Sequence, residues 1–424
     1  MLSHEENELL TRTGPGTPMG ALMRRYWMPA MLSEELPEPD CDPVRVRLLG
    51  EGLVAFRDTQ GRVGLLDENC THRCASLAYA RVEENGLRCI YHGWKYDVTG
   101  KILETPPEPA ESTFKDRIRQ PAYPVREAAG VIWTYMGPPE HMPTFPEYEW
   151  MLAPEERRWL SKTVQACNWA QALEGDIDSA HSDYLHSSDI TGRPRDHAPM
   201  MVAEDTDYGF RYAAIRQPDN DPEQRKYVRV TLFAAPFSTF TPPERRRRQG
   251  DEPYETATHR MYVPVDDETH LFFSFSVSRL GPYRPIARDG TLATSYRPAG
   301  NRGNMHLQDR AAMKAGNWAG IQGVRAQDRA VTEGMGPIAP RFKEHLGVSD
   351  VALIRMRRRM IDAARAFMEG AEPPGLDPSI RYDLLHSEEK MVAADAPWQA
   401  VLDDPALVGE SVTAGLASRA PSAL

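Results

Sequence analysis

Two short clusters of metal-binding residue types lie close together in the first quarter of the chain. One is Cys70-x-His72 and the other is Cys89-x-x-His92. Zinc and iron–sulfur centres can both be held by two Cys and two His. Zinc fingers usually pair Cys with Cys and His with His. Because each cluster here mixes the two types, the pattern favours a two-iron centre in which two thiolates hold one iron and two imidazoles hold the other.

The neighbouring residues agree with a Rieske-type [2Fe–2S] centre. Gly93 follows His92 where a tight loop must approach the metal without a Cβ atom. A structural zinc site is the alternative for the same four residues. Cys74 lies in the first cluster, and we expect it to be a small buried residue rather than a ligand or a disulfide partner. The chain has five Cys, an odd and sparse set that argues against a disulfide framework.

A second group of candidate ligands follows about eighty residues later, in "CNWAQALEGDIDSAHSDYLHSS". It contains Asp176, Asp178, His181, Asp183 and His186. Asp178 lies three residues before His181, so we expect the two on the same face of a helix. Non-haem Fe(II) oxygenases use two His and one carboxylate on one face of the iron. On an ideal helix His181 and His186 would point ~140° apart. They can therefore share one iron only where the helix ends, bends or carries a π-bulge, which the weak helix formers between them favour.

The sequence pattern predicts two domains that position these residues. From Val44 to Tyr135, short alternating apolar runs separated by Gly and Asp predict a small β domain around the first motif. A Pro-rich stretch near 140–155 predicts a boundary. Strand-like runs followed by helices then predict an antiparallel sheet. The fold class is α+β, with a β-rich [2Fe–2S] domain and an antiparallel-sheet domain with flanking helices.

We predict three segments. Residues 1–40 form an N-terminal segment that docks on the second domain, residues 41–145 form the [2Fe–2S] domain, and residues 146–424 form the mononuclear-iron domain. A short helix is expected over Arg24–Trp27. A later helix should begin with Ser349 or Asp350 as its N-cap and end at Gly370.

Composition bounds the class of protein. The 424 residues are 41% hydrophobic, enough for one large or two medium domains. The formal net charge of −11 argues against a nucleic-acid partner. No apolar run reaches membrane-spanning length, and the acidic start is unlike a signal peptide. We expect a cytoplasmic protein without a membrane association.

Both metal motifs resemble those of Rieske non-haem iron aromatic ring-hydroxylating oxygenases. "CTHRCASL" and "CIYHGWKYDVTG" resemble the two cluster loops, and Asp178-x2-His181-x4-His186 matches the D-x2-H-x4-H signature. The resemblance covers nearly the whole chain and is nearest to α subunits of the phthalate dioxygenase and aromatic O-demethylase type. It implies a [2Fe–2S] Rieske cluster on Cys70, His72, Cys89 and His92, and a mononuclear non-haem Fe(II) on His181 and His186.

The same resemblance implies the remaining parts of the iron site. "QDR" occurs at 308–310 and again at 327–329. "RAQDRAVTEGMGP" resembles the distal ligand helix, so Asp328 is the predicted third ligand and Asp309 the runner-up. Asp178 would hydrogen-bond a ligand His and contact a cluster-binding His of a neighbouring subunit. That arrangement implies a homotrimer. A separate NAD(P)H-dependent reductase, with or without a ferredoxin, would supply the electrons.

The substrate is predicted to be an aromatic carboxylic acid that reacts with O2. "GRPRDHAP" and "KYVRV" resemble places where phthalate dioxygenases hold carboxylates, which makes Arg193 and Arg229 candidates. A surface Arg is the alternative for each. The reaction slightly favoured is O-demethylation of a lignin-derived methoxylated acid, and cis-dihydroxylation of a phthalate-like acid is the alternative. A Rieske electron carrier is the other class, although it would need only the first motif.

Overall fold

The computed structural model describes residues 1–190, 198–218, 221, 223–246, 254–279, 281–282 and 296–402. Within that part of the chain the α-helices are α1 (His4–Thr11), α2 (Pro18–Met23), α3 (Glu149–Leu152), α4 (Trp169–Asp176), α5 (Ser187–Ile190), α6 (Arg310–Lys314), α7 (Val324–Gly334) and α8 (Val351–Met368). Among the residues described, no helix combines the length and the apolar character needed to span a bilayer.

Residues 12–145 and 263–267 form one compact unit. Its strands are β1 (Trp27–Leu32), β2 (Val44–Leu48), β3 (Glu51–Arg57), β4 (Val63–Asp67), β5 (Arg81–Glu83), β6 (Gly86–Arg88), β7 (Lys95–Tyr96), β8 (Ile102–Glu104), β9 (Ala122–Tyr123), β10 (Val125–Ala128) and β11 (Val131–Tyr135). They pair in three antiparallel sheets, in the orders β1-β11-β10, β2-β3-β4-β9 and β5-β6-β7-β8. The second and third sheets share a core that includes Phe56, Leu66, Leu87, Trp94 and Tyr96.

The chain divides differently from the three segments predicted. Residues 12–40 group with the β-rich unit, because β1 pairs with β11 from Trp27↔Tyr135 to Leu32↔Val131. The short helix expected over Arg24–Trp27 lies earlier in the chain, at α2. Arg24–Tyr26 instead form the turn that follows α2, in which Arg25 N and Tyr26 N donate to Leu22 O and Met23 O, and Trp27 begins β1, whose six residues are all buried. Only residues 1–11 group with the second unit.

The second unit comprises residues 1–11, 146–262 and 268–424. Its strands are β12 (Arg158–Gln165), β13 (Met200–Thr206), β14 (Gly209–Arg216), β15 (Lys226–Ala234), β16 (Ser238–Arg246), β17 (Tyr254–Pro264), β18 (His270–Ser278) and β19 (Glu389–Val392). In the described part of the chain they form one sheet in the order β12-β18-β17-β16-β15-β14-β13, with β19 paired to β15. Strands and helices are largely separate along the chain, and the α+β class is confirmed.

One face of this sheet, here called the polar face, carries several polar side chains that are buried or partly buried. The register places Tyr212 opposite Thr231 and Ala214 opposite Arg229, so these side chains share a face. Thr239, which is fully buried, also belongs to this face because it lies opposite Phe233, two residues along β15 from Thr231, and its hydroxyl donates to Asp176 of α4. Buried polar side chains require partners, and Asp176 of α4 supplies one for Thr239.

Helix α4 is fixed by hydrogen bonds in three directions. Gln171 donates to the carbonyl oxygens of Thr332 and Gly336, at 2.8 Å each, which ties α4 to the end of α7. Glu174 accepts from Arg341 and from Arg357 of α8, with nitrogen–oxygen distances of 2.8–3.1 Å. Asp176 accepts hydrogen bonds from Thr239 and Arg260 of the sheet. The segment that follows α4 therefore starts from a fixed position.

The long helix α8 agrees with its sequence signals. Asp350 occupies the N-cap position, one of the two residues predicted, although its side chain makes no capping hydrogen bond and instead accepts from Gly347 N. Gly370 follows the helix with a φ of 96°, a backbone conformation that favours glycine.

We expect Glu174→Gln to destabilise the second unit. Glu174 is 6% exposed and faces two guanidinium groups, and Arg341 is fully buried. Removing one partner of a buried ion pair costs about 3–5 kcal/mol because the remaining charge is not compensated. Urea titration followed by tryptophan fluorescence would measure the change in the free energy of unfolding. Glu369→Gln, at an exposed position beyond α8, is the matched control and should change it little.

The same carboxylate predicts a pH dependence. Burial by itself would raise the pKa of Glu174, but Arg341 and Arg357 lower it below the usual value of 4.5. A carboxylate with a lowered pKa stabilises the folded state above its unfolded pKa and loses that contribution as pH falls through its folded pKa. The wild type should therefore lose stability below about pH 4.5, and the Glu174→Gln variant should lack this component. If the free energy of unfolding fell with pH by the same amount in both proteins, the assignment would be wrong.

Candidate metal centres

The two Cys/His clusters form loops with the same backbone hydrogen bonds. Cys70 N donates to Ala75 O and Cys89 N donates to Trp94 O, at 2.9 Å in both cases. The amide four residues after each Cys donates back to that Cys carbonyl, at 2.8 Å and 2.9 Å. The two loops therefore share one backbone conformation, and each places one thiol and one imidazole. A two-iron centre held by both loops requires this arrangement.

The two thiols lie inside the protein and already have hydrogen-bond donors. Cys70 and Cys89 are both 2% exposed. The Tyr96 hydroxyl lies 2.9 Å from Cys70 Sγ and would donate to a metal-bound thiolate, which has no proton of its own. Burial raises the pKa of the Cys89 thiol above its usual value. Metal binding releases that proton, and hydrogen bonds to ligand sulfurs are one determinant of a cluster's reduction potential.

The imidazoles of His72 and His92, one from each loop, approach each other. The ring centroids of His72 and His92 are 4.5 Å apart, and the His72 ring stacks on Trp94 at 4.6 Å. His92 Nδ1 is buried and makes no hydrogen bond to any described residue. A buried ring nitrogen without a partner is costly unless it is a ligand. The donor set therefore fits a Rieske cluster.

Cys74 differs from the expectation, because it is exposed rather than buried. Its amide makes the same hydrogen bond in the first loop that the Gly93 amide makes in the second. Its φ is 56°, and that of Gly93 is 76°. Cys74 thus occupies a left-handed corner of the loop, and that backbone conformation points its side chain away from the core.

His181, His186 and Asp328 meet in the second unit. The two Nε2 atoms are 3.0 Å apart, and Asp328 Oδ1 lies 3.4 Å from His181 Nε2 and 2.9 Å from His186 Nε2. Among the described residues, these three form a possible metal-binding group, whose three ligand atoms lie within 4.8 Å of one another. Atoms that bind one metal ion at ~2.1 Å and ~90° to each other are ~3.0 Å apart. Two His and one carboxylate are the donor set of a non-haem Fe(II) site.

The two histidines converge because no continuous helix joins them. Helix α4 ends at Asp176, His181 begins a single 3-10 turn, and α5 begins only at Ser187. Tyr184 between them has φ −112° and ψ −62°, which redirects the chain. The condition stated from the sequence, that the helix must end or bend between the two residues, is met in this structure.

Asp178 does not share a helical face with His181 as expected, because it lies beyond the end of α4. Its Oδ1 accepts from Ala180 N at 2.8 Å and thereby closes a turn. Its Oδ2 lies 3.6 Å from His181 Nδ1, slightly beyond hydrogen-bond distance. The carboxylate therefore orients the backbone and faces the imidazole at the same time.

The electrostatics of the group suit a cation. Burial opposes charge on His181, but Asp178 and Asp328 outweigh it and raise the pKa of His181 to about 10. Burial would raise the pKa of Asp328, yet the two imidazoles hold it well below its usual range. The site thus attracts positive charge, and a divalent ion can take the place of the proton.

The other acids of the second motif have structural partners. Asp176 bonds Thr239 and Arg260, and Asp183 accepts from Arg216 at 2.7–3.0 Å. Asp309, the runner-up ligand, caps α6 by accepting from Ala311 N and Ala312 N. These contacts leave Asp328 as the carboxylate that the structure brings to the histidines.

The two predicted substrate residues have different outcomes. Arg193 lies outside the described residues. Arg229 lies on the polar face of the sheet with its side chain 26% exposed, and its Nε is 3.9 Å from Glu389 Oε2. The sequence reasoning missed Gln327, which is fully buried and lies 2.7 Å from His186 Nδ1. The repeated "QDR" contained the signal, but only the Asp of each copy was considered.

Two family models match the chain. Residues 26–124 match the Rieske [2Fe–2S] domain, and residues 134–406 match the LigXa C-terminal domain like family. Together they cover the two Cys/His loops and the whole His181–Asp328 site.

Similar proteins extend the match over nearly the full length. The oxygenase subunit of phthalate 4,5-dioxygenase from Pseudomonas putida is 43% identical over 97% of this chain and 98% of its own. The oxygenase subunit of 5,5'-dehydrodivanillate O-demethylase from Sphingobium sp. is 34% identical over 90% of this chain and 85% of its own. A solved structure of Pseudomonas putida CBB5 NdmA with caffeine has the same fold, with a TM-score of 0.59, 19% identity and coverage of 84% and 94%.

The fold and the two donor sets define an oxygenase with a [2Fe–2S] Rieske domain and a mononuclear non-haem iron domain. The chain belongs to the Rieske oxygenase family, among the α subunits that carry a LigXa-like C-terminal domain.

Proposed function

We propose that this chain is the terminal oxygenase of a multicomponent system that oxidises an aromatic carboxylic acid. Cys70, His72, Cys89 and His92 hold the Rieske cluster, and His181, His186 and Asp328 hold the mononuclear iron. The observation that carries the proposal is the convergence of the three iron-binding side chains, with ligand atoms 2.9–3.4 Å apart, in a chain that also has both cluster loops.

The protein's own contribution is to bind, orient and exclude water. An iron bound there would supply O2 activation, with electrons from the cluster. His181, His186 and Asp328 would hold it as two imidazoles and one carboxylate. His186 is 3% exposed, whereas His181 and Asp328 are partly exposed, so solvent and small molecules reach the group from the side of the latter two residues.

Asp178 is proposed to connect the two metal centres between subunits. Its carboxylate faces His181 Nδ1, and the resemblance to the family assigns its other contact to a cluster-binding His of a neighbouring chain. A homotrimer closed by three equal head-to-tail contacts would give each iron a cluster from the next subunit. The electrons would come from a separate reductase, with or without a ferredoxin.

Arg229 is the described candidate for the substrate carboxylate. Arg216, which bonds Asp183 next to the iron ligands, lies two positions along β14 from Ala214, the partner of Arg229. Arg229 therefore projects from the same sheet face as a residue already in contact with the iron-binding segment. Its Nε is buried and makes no hydrogen bond to the described residues.

Tyr212 supports the same position. It is 1% exposed on this face, and its hydroxyl has no hydrogen-bond partner among the residues described. Burial raises the pKa of Tyr212 well above its usual value, so the hydroxyl stays protonated and can donate. A guanidinium and a neutral donor on one buried face suit a carboxylate.

Two reactions follow from where the ring lies relative to the iron. The 43% identity to a phthalate dioxygenase subunit supports ring dihydroxylation of a phthalate-like acid. The 34% identity to an O-demethylase subunit supports the demethylation favoured from the sequence. The higher identity and the fuller coverage lead us to place ring dihydroxylation first. The second metal site argues against a simple Rieske electron carrier.

We expect Asp328→Ala to lose the mononuclear iron and keep the cluster. The substitution removes one of three ligands in the second unit and leaves the Cys/His loops intact. Iron analysis should fall from about three to about two atoms per chain, with an unchanged visible spectrum. Asp309→Ala, in the other "QDR", is the matched control and should retain all the iron. Equal iron in both variants would refute the assignment, and a zinc-only wild type without acid-labile sulfide would refute the proposed function.

We expect Asp178→Asn to bind both metals but to lose turnover. An Asn side chain can still accept from Ala180 N, so the turn persists, but it carries no charge toward His181. Stopped-flow reoxidation of the reduced cluster by O2 with substrate present should become slow. The exposed Asp362→Asn on α8 should behave as wild type. Normal turnover of Asp178→Asn would remove Asp178 from the electron path.

The reaction should be decided by product analysis. The oxygenase, a reductase and NADH would be incubated with phthalate, vanillate-like acids and a biphenyl diacid in turn. A cis-dihydrodiol from phthalate is the expected result, and formaldehyde from a methoxylated acid without any dihydrodiol would establish demethylation.

Arg229→Ala should weaken substrate binding by about 2–3 kcal/mol because one charged hydrogen-bond partner is lost. Unchanged binding would exclude Arg229 from the carboxylate site.

A further inference from the structure

Gln327 makes a complete set of hydrogen bonds directly behind an iron-binding imidazole. It is 0% exposed. Its Oε1 lies 2.7 Å from His186 Nδ1, and its Nε2 lies 2.7 Å from both Asp189 Oδ2 and Ile321 O. A buried side-chain amide with three short contacts is held in one orientation.

The partners determine which end of the amide faces the histidine. Asp189 Oδ2 and Ile321 O can only accept hydrogen bonds, so both must receive the two N–H groups of Gln327. The oxygen of the amide is then left for His186, and an amide oxygen can only accept. His186 must therefore carry its proton on Nδ1, which leaves the lone pair of Nε2 directed at Asp328 and His181.

The two iron-binding imidazoles are supported differently. Behind His181 lies the carboxylate of Asp178, at 3.6 Å from Nδ1. Behind His186 lies a neutral amide at 2.7 Å, in closer contact. A neutral acceptor fixes the tautomer and the ring orientation without adding negative charge next to the metal.

The second copy of the same tripeptide shows that sequence alone does not create this role. Gln308 also precedes an Asp and an Arg, yet its Nε2 donates to Ala319 O at 2.8 Å. It is partly exposed, and its neighbour Asp309 caps a short helix. The two glutamines therefore provide a matched pair within one chain.

We propose, resting on the iron site of the proposed function, that Gln327 is a positioning residue for the mononuclear iron. It holds His186 in the Nδ1–H tautomer, and Asp189 sets the orientation of the amide that does so. The residue acts through His186 and touches neither substrate nor metal.

The test measures metal binding rather than turnover. Full-length protein with its cluster intact is stripped of mononuclear iron, and Fe(II) affinity is measured by competition with a chelator. Gln327→Met keeps the volume and removes the hydrogen bonds, so its Fe(II) dissociation constant should rise about 10–100-fold. Gln308→Met, the same substitution in the other copy, should bind as wild type. Co(II) in the emptied site should give ligand-field bands that shift in Gln327→Met only.

A second pair of variants tests the part played by Asp189 by moving the carboxylate from position 189 to position 327. Gln327→Glu still offers an acceptor to His186 but cannot donate to Asp189, and two carboxylates then face each other. Adding Asp189→Asn restores a side-chain N–H in that contact. The double variant should therefore bind Fe(II) more tightly than Gln327→Glu alone. This comparison decides the matter if Gln327→Met is not recovered folded, and equal affinities in the two proteins would overturn the proposal.

The outcomes separate this inference from the proposed function. Wild-type affinity and unshifted Co(II) bands in Gln327→Met would overturn the role of Gln327 alone, provided that Asp328→Ala loses the iron. A wild-type protein that binds no mononuclear iron would overturn the proposed function first. Loss of affinity in Gln308→Met equal to that in Gln327→Met would show a general structural effect and would also overturn the inference.

Discussion

The second unit depends on one constraint. It must hold the Asp328 carboxylate against the imidazoles of His181 and His186. Asp328 is separated from His186 by more than a hundred residues of sequence, and its oxygen nevertheless lies 2.9 Å from the imidazole nitrogen. Such a group is costly to bury without a cation to balance it. The helices that carry the ligands must therefore be fixed by contacts that do not involve the metal. Gln171 provides one of them, because it joins α4 to the end of α7.

The buried ionic contacts of α4 serve the same purpose. Glu174 pairs with Arg341 and Arg357, and Asp176 bonds Thr239 and Arg260 in the sheet. A buried ion pair contributes little net stability, but leaving one partner unpaired is strongly unfavourable. These pairs therefore specify a single position for α4. The turn that begins beyond the end of α4 then carries the first two ligands to the third.

The two metal centres differ in how local their construction is. Each cluster loop is closed by hydrogen bonds over five residues, and a left-handed corner at Cys74 or Gly93 allows the turn. The mononuclear site has no such local closure. Its second ligand is oriented by Gln327, whose hydrogen bond to His186 spans 141 positions of sequence. The cluster loops were accordingly easier to recognise from spacing than the complete iron site.

Residue types and spacing favoured a [2Fe–2S] centre over zinc and predicted the α+β class, and the resemblance of both motifs to those of Rieske oxygenases predicted the family and the mononuclear iron. All of these signals are short-range. They also indicated that the helix must end, bend or carry a π-bulge between His181 and His186, since 3.6 residues per turn would otherwise separate the two imidazoles. Spacing did not determine the surroundings of these residues. Cys74 was expected to be buried and is exposed, and Asp178 was expected on a helical face and lies in a turn, because both depend on local backbone conformation.

Tertiary structure decided the contacts between distant residues. The two "QDR" tripeptides are identical, and only the resemblance of the residues around the second one favoured Asp328. The structure gives the reason, because the second tripeptide lies on α7, which is joined to α4, so Asp328 reaches the histidines while Asp309 caps α6. The strand β1 likewise joins the first unit by pairing with β11, a contact that no local pattern predicts. The physical reason is the same in both cases. Hydrogen-bond partners and buried charges are satisfied across the fold, whereas periodicity reports only on neighbours along the chain.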